Sequence, residues 1–213
     1  MKKPGIKGFR VETCFGGAKC PNHIHETEHL VDLMVKRFEA ENLLGFLQEH
    51  IQEPIKYHHE FRMSVSNCPN ACSRPQIKDI GIIGAILPKV ADIPCNSCEA
   101  CSVNCKENAI AINTEFKHPV IDLELCVRCG QCVKNCPTHT LAIGEKGFRV
   151  QVGGKLGRRP QLAKELPGLY NEEEVVSILS KCISFYKMQG ENGERFGHII
   201  ARIGLDQIIN PRF

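Results

Sequence analysis

Apolar residues recur near helical spacing over residues 25–51, at Leu30, Leu33, Met34, Phe38, Leu43, Leu44 and Leu47, which predicts an amphipathic helix bent near Asn42. Phe61, Met63 and Val65 alternate with polar neighbours and predict a half-buried strand that leads straight into Cys68. Residues 79–87 form a nearly continuous apolar run and predict a second, more buried strand, and 148–152 predict a third. Asn171 can cap a helix whose first turn carries Glu172, Glu173 and Glu174, favourable against the positive end of the helix dipole. The core stripe of that helix is Val175, Leu179, Cys182 and Tyr186, which makes Cys182 a small buried core residue. A last helix is expected over 195–209. Helices packed on a sheet give an α+β domain.

Between the second and third strands this pattern gives way to cysteines. Cys95, Cys98, Cys101 and Cys105 are followed 31 residues later by Cys126, Cys129, Cys132 and Cys136, and the repeat extends to Asn104 and Asn135 and to 109–112 against 140–143. Residues 88–145 therefore read as an inserted module, entered through Pro88 and Pro94 and left through Gly144 and Gly147, with 1–87 and 146–213 forming the surrounding domain. The run Cys-x2-Cys-x2-Cys-x3-Cys is the bacterial ferredoxin spacing, in which three thiolates wrap one 4Fe-4S cluster and the fourth reaches over to the other. By that rule Cys95, Cys98, Cys101 and Cys136 hold one cluster, and Cys126, Cys129, Cys132 and Cys105 the second. Pro137 follows the second run as the pattern requires, but Lys106 stands after the first. Zinc would need only two Cys-x2-Cys pairs and leaves the third cysteine of each run without a role.

The chain has 13 cysteines in 213 residues. A protein of this length can bury a core without disulfide staples, so clustered cysteines point to metal or redox chemistry in a reducing compartment. The longest apolar run ends at Pro88 after eight residues, too short for a membrane span, and the charged start has no apolar stretch behind it. A cytoplasmic protein that does not enter a membrane is expected. The formal charge of +3 counts each cysteine as a neutral thiol, and cluster ligation would turn the balance negative. With aromatic residues at 6% and no basic/aromatic interleaving, nothing here suggests nucleic acid. His23, His25, His29, His58 and His59 lack an identifiable carboxylate partner, and no separate metal site is expected from them.

Four cysteines remain, Cys14, Cys20, Cys68 and Cys72. They lie in Thr13-Cys14-Phe15-Gly16-Gly17-Ala18-Lys19-Cys20-Pro21-Asn22 and Ser66-Asn67-Cys68-Pro69-Asn70-Ala71-Cys72-Ser73-Arg74-Pro75-Gln76. Both segments closely resemble the cluster motifs of the sirohaem sulfite and nitrite reductases. The resemblance continues through 77–81, through the Gly-rich stretch 152–160 and through 193–197, and covers nearly the whole chain, including the ferredoxin module that anaerobic and dissimilatory-type members carry at this place.

The resemblance implies a sulfite/nitrite reductase 4Fe-4S fold with an inserted two-cluster ferredoxin domain. It makes Cys14, Cys20, Cys68 and Cys72 ligands of a third 4Fe-4S cluster, with Cys72 shared between that cluster and sirohaem iron and Asn70 beside it at the cofactor. Sirohaem carries many carboxylates and the substrate would be sulfite or a similar small oxyanion, so Lys and Arg must converge on one cavity. The candidates are Arg74 and Lys78 first, then Arg10, Lys19 and Arg62, with Lys155, Arg158 and Arg159 on the Gly-rich stretch. Complete members of the family place a further half-module before the first cysteine pair. Here only thirteen residues, with Lys2, Lys3, Lys7 and Arg10 among them, precede Cys14. The haem pocket is therefore expected to be completed by another subunit, identical or not. Electrons would enter from a donor protein or reductase subunit through the inserted clusters. The rival is an electron-transfer subunit with three 4Fe-4S clusters and no sirohaem, docked on a separate catalytic protein.

Overall fold

The computed structural model describes residues 5–113, 115–191 and 193–209. Strand β1 (Phe9–Thr13) is followed by helices α1 (Glu28–Ala40) and α2 (Leu43–His50), then by strands β2 (Phe61–Ser66) and β3 (Ile80–Val90). The expected bent helix is thus two helices. Asn42 sits between them in the left-handed region at φ 45°, and its side chain accepts a hydrogen bond from Gly45 N at 3.3 Å. Asparagine tolerates that conformation better than most residues, and its oxygen satisfies a free N–H of the new helix start.

The inserted segment contributes α3 (Ala100–Val103), β4 (Ile110–Asn113), β5 (His118–Ile121) and α4 (Gln131–Lys134). The chain returns through β6 (Leu141–Val152) and β7 (Lys164–Glu165), then α5 (Glu172–Gln189), α6 (Phe196–Ile203) and α7 (Asp206–Ile209). The single helix expected over 195–209 is broken at Gly204, whose φ of 98° no helix accommodates. At α5 the expected cap forms a reciprocal box. Asn171 Oδ1 accepts from Glu174 N at 2.9 Å, and Glu174 Oε2 accepts from Asn171 N at 2.8 Å.

The main sheet has the order β1-β2-β3-β6-β7, with β1, β2 and β3 parallel and the remaining pairs antiparallel. Phe61, Met63 and Val65 of β2 face the helices, where Phe61 meets Phe38, Tyr186 and Phe196 with ring centroids 5.2–5.8 Å apart. Burying each such side chain stabilises the fold by about 1.5–3 kcal/mol. The alternate residues Ser64 and Ser66 are equally buried on the other face. Ser73, just after the Cys68–Cys72 loop, bonds to that second face.

β3 and β6 form a long antiparallel ladder that continues past the expected boundary at 88 and 145, through a bulge at Leu87/Pro88, to the pair Val90 and Leu141. Pro88 lacks the N–H a regular ladder needs, and a bulge is where a strand tolerates it. The inserted segment hangs on this stem. It is fixed sideways by Ile86 N donating to Arg128 O at 2.8 Å and by Lys134 Nζ donating to Pro21 O at 3.4 Å.

Candidate metal centre

Because β1 and β2 are parallel and in register from Phe9/Phe61 to Thr13/Val65, the loops that follow them leave at the same edge of the sheet. Crevices outside the carboxyl ends of parallel strands are where such sheets build sites. Cys14 directly follows β1, its N–H donating to Val65 O at 3.1 Å, and Cys68 follows β2 by two residues. Asn67 joins the two loops. It is buried, its Oδ1 lies 3.2 Å from Cys14 Sγ and 3.0 Å from Thr27 Oγ1, and its carbonyl accepts from Ile24 N at 3.3 Å.

The loop from Cys68 to Cys72 is held down by hydroxyls. Ser64 Oγ donates to Ser73 Oγ at 2.7 Å, Ser66 Oγ and Ser73 Oγ are 2.6 Å apart, and Ser73 Oγ reaches Val65 O at 2.9 Å. Ser66, Asn67 and Ser73 lie within the cluster motif, but the sequence gives them no role of their own. The one signal is that Ser64 and Ser66 occupy the second face of a strand whose first face is wholly apolar.

The structure brings Cys14, Cys20, Cys68 and Cys72 into one neighbourhood. Burial pushes the Cys68 thiol up, and the thiols of Cys20, Cys72 and Cys14 push it further, against the backbone N–H of Asn70. Cys72 is the exposed member, with Asn70 Nδ2 donating to its Sγ at 2.9 Å, so its sulfur is open on the outward side. Four converging thiols with N–H donors fit an iron-sulfur cluster, whose positive core offsets the cost of burying thiolates.

In the inserted segment Cys95, Cys98, Cys101 and Cys136 line one small cavity. Cys105, Cys126, Cys129 and Cys132 line another, of about 330 Å³. The Cys101 thiol is raised by burial and by neighbouring Cys136 and Cys95, and that of Cys126 by burial and by Cys129 and Cys105. Burial pushes Cys132 up to about 12, so a thiolate there needs a cation beside it. The larger cavity is also walled by Cys68, Pro69 and Asn70, so the segment and the sheet site share it. All 13 cysteines are free of disulfides, and Cys182 is fully buried in the helix core, its thiol pushed by burial up to about 12.

The basic candidates divide. Lys78 is buried and paired with Glu12 at 2.7 Å. Arg10 is paired with Glu60 at 3.3 Å and lies over the Tyr57 ring, and Arg62 donates to Tyr57 O at 3.1 Å. Lys155 is buried with its Nζ on the Arg159 carbonyl. Lys19, Arg74, Arg158 and Arg159 are exposed, and Lys19 and Arg74 have no side-chain partner among the described residues. Lys2 and Lys3 lie outside the described residues. The 193–197 stretch is anchored where Arg195 reaches the buried Asp79 at 2.7 Å.

Of the histidines, His29 pairs with Glu172 at 2.6 Å, and the His25 ring packs on Phe148 at 4.5 Å between centroids. His58 and His59 do find a carboxylate, Glu53, their ligand atoms all within 4.8 Å. Lys56 N donates to His59 Nδ1 at 3.1 Å, which leaves the proton on Nε2, directed to Glu53 at 3.5 Å. A ring satisfied in that way has no free lone pair for a metal.

No helix among the described residues is long and apolar enough to cross a membrane. Residues 8–211 match the nitrite and sulphite reductase 4Fe-4S domain. The chain is 32% identical to the coenzyme F420-dependent sulfite reductase of Methanocaldococcus jannaschii over 92% of its own length and 29% of that protein. It is 28% identical to the dissimilatory-type sulfite reductase subunit beta of Archaeoglobus fulgidus, over 68% of this chain and 44% of the relative. It therefore spans less than half the length of either relative. The crystal structure of dissimilatory sulfite reductase I superposes with a TM-score of 0.58 at 20% identity, covering 93% of this chain and 50% of that one. With its thiols gathered at the ends of parallel strands and its mixed α+β fold, the chain belongs to the nitrite and sulphite reductase 4Fe-4S domain family.

Proposed function

We propose that this protein is an iron-sulfur electron-transfer unit of a sulfite-reductase-type enzyme, holding three 4Fe-4S clusters. An inserted ferredoxin domain, residues 88–145, carries two of them, on Cys95, Cys98, Cys101 and Cys136 and on Cys126, Cys129, Cys132 and Cys105. Cys14, Cys20, Cys68 and Cys72 hold the third. The observation that carries the reading is the cavity lined at once by the second inserted set and by Cys68, Pro69 and Asn70, which gives electrons a short way from the module to the sheet site.

On this reading the set containing Cys95 is the point of entry, the set containing Cys126 is the relay, and the sheet set delivers. Sirohaem, when bound, supplies the multi-electron reduction of sulfite or a similar oxyanion. Cys72, exposed and steadied by Asn70, would hold that group, and the exposed Arg74 and Lys19, without side-chain partners among the described residues, would meet its anionic groups. The Archaeoglobus fulgidus relative, named as a subunit, supports association with another chain that completes the pocket.

A second reading, a carrier without sirohaem, draws on the pairing of Lys78 with Glu12 and of Arg10 with Glu60, which takes two expected anion ligands out of use. Iron and sulfide analysis with an absorption spectrum of anaerobically purified protein tests both. About thirteen irons per chain with sirohaem bands supports the enzyme unit, and about twelve irons without them supports the carrier. About eight irons means that the sheet set holds no cluster.

A further inference from the structure

The two halves of the inserted segment form a built-in control, because nearly every backbone feature around one thiol set recurs around the other. Ser97 N donates to Cys95 Sγ at 3.4 Å as Arg128 N donates to Cys126 Sγ at 3.4 Å. Ala109 N donates to Cys105 Sγ at 3.3 Å, and on the other side the donor to Cys136 Sγ is Leu141 N, one residue past the repeat position, at 3.4 Å. Asn104 and Asn135 each return a side-chain N–H to the carbonyl four residues back, at 2.7 and 2.8 Å. Left-handed backbone appears in pairs, at Ser97 and Arg128 (φ 56° and 62°), Glu99 and Gly130 (59° and 68°), and Asn108 and His139 (53° and 57°).

The charges break this symmetry. Lys106 and Glu107 wall the cavity of the Cys126 set, and Arg128 follows Cys126 by two residues with its guanidinium on Gly168 O at 3.5 Å and Glu165 near it, where the other half has Pro137, Thr138 and Ser97. Lys134, in place of Val103, faces the Pro21 carbonyl on the side of the sheet site. Beside the Cys95 set the charged residue in the cavity wall is Glu99, where the other half has Gly130. A reduced cluster carries one more negative charge than an oxidised one, so nearby cations stabilise the reduced form and a nearby carboxylate opposes it.

Resting on the proposed cluster assignment, we infer that Arg128 and Lys106 on one side and Glu99 on the other set the direction of electron flow. They hold the Cys126 set at a higher reduction potential than the otherwise equivalent Cys95 set. In the step concerned, an electron from an external one-electron reductant rests on the Cys95 set. It then passes to the Cys126 set, the first being oxidised and the second reduced by one electron, with no proton transferred. These residues ligate no iron and act as tuning groups; Lys106 lies in the wall of the cavity that Cys68 and Asn70 also line. The repeat supplies the substitutions for the test. Arg128→Ser and Glu99→Gly each install a residue that the other half carries at the same backbone angle. The reverse change at Gly130 is strained, because a Cβ there would come 3.0 Å from Ile86 Cδ1.

The experiment is a mediated redox titration of the full chain, loaded with iron and followed by electron paramagnetic resonance, with reduced viologen as the electron source. Two separate potentials are expected for the inserted segment in the unmodified protein. Arg128→Ser should lower the higher one and Glu99→Gly should raise the lower one. Each change should cut the equilibrium preference for the Cys126 set by about tenfold, or about 59 mV for one electron. Lys106→Gln, at an exposed side chain, should act in the same direction as Arg128→Ser and serves if that variant loads poorly. Shifts of opposite sign, shifts on the other centre, or no shift at unchanged iron content would overturn this inference and leave the cluster assignment standing. Failure of the unmodified segment to bind iron would overturn both.

Discussion

In the inserted segment three of the four thiols around each cavity come from one short run, Cys95 to Cys101 or Cys126 to Cys132, and only the fourth crosses from the other half. The site at the sheet edge is built the other way. Cys14 and Cys68 follow different strands and are brought together by parallel pairing, by Asn67 and by the Ser64-Ser66-Ser73 hydroxyls. The supporting cores differ to match. The segment's own buried apolar cluster is Cys101, Ile110, Cys132 and Leu141, whereas the sheet and helices share a continuous core from Leu30 to Ile208. A site whose thiols are themselves the core depends on its metal to fold, and a site placed on a finished scaffold does not.

Removing iron should break this comparison most visibly. Anaerobic chelation is expected to abolish hydrogen-exchange protection in α3, β4, β5 and α4 while β2 and α5 keep theirs, because the apolar cluster of the former is small and built partly from the thiols themselves. Equal loss in both regions, read by mass spectrometry, would show that the sheet also needs metal.

Next in size is Cys105→Ala. Cys105 lines the cavity of Cys126, Cys129 and Cys132, so the variant should lose about four irons per chain from that set and keep the set beside it in sequence. Loss of the Cys95 set in iron analysis and resonance spectra would contradict the crossover.

At the sheet edge Ser73→Ala removes one hydroxyl contact each from the buried Ser64 and Ser66, which keep their bonds to the Ser73 backbone. A loss of about 1 kcal/mol in denaturant unfolding is expected, with weaker iron retention at the sheet site and no change at the inserted sets. A cost confined to stability, with no change in iron, would separate the hydroxyl web from the metal site.

The smallest effect concerns pH. Glu165 is partly buried, which works against its charge, but hydrogen bonds from Arg149 and Gln151 prevail and hold its carboxyl below the ordinary value. A carboxyl lowered on folding adds stability above the ordinary carboxylate range and loses it as pH falls through the folded value. Glu165→Gln should therefore cost less than about 1 kcal/mol near neutrality and flatten the acid limb of the stability profile. An unchanged acid limb would mean that the pair on β6 and β7 contributes nothing measurable.

Much of this molecule was legible before its structure. The strand at 61–66 and the ladder partners around 79–87 and 148–152 announced themselves because burial on a sheet imposes a period of two or an unbroken apolar run. Asn171 and its glutamates marked α5 because helix starts have specific hydrogen-bonding needs. β1 was not foreseen, since five residues with only Phe9 and Val11 apolar carry too little pattern, and β7 is two residues long. The break at Gly204 was missed because the apolar spacing runs through it, although a glycine with positive φ ends a helix.

The sequence by itself determined which residues can bind iron and how the repeat is spaced, because thiolate ligation follows residue type and loop length, both local properties. Tertiary structure alone decided that Cys68 and Asn70 wall the same cavity as the Cys126 set, that Glu12 and Glu60 claim Lys78 and Arg10, and that Asn67 ties the two sheet loops together. Those facts depend on strand order and on which loops share an edge. Such pairings arise between residues distant along the chain, where the period of the sequence carries no information.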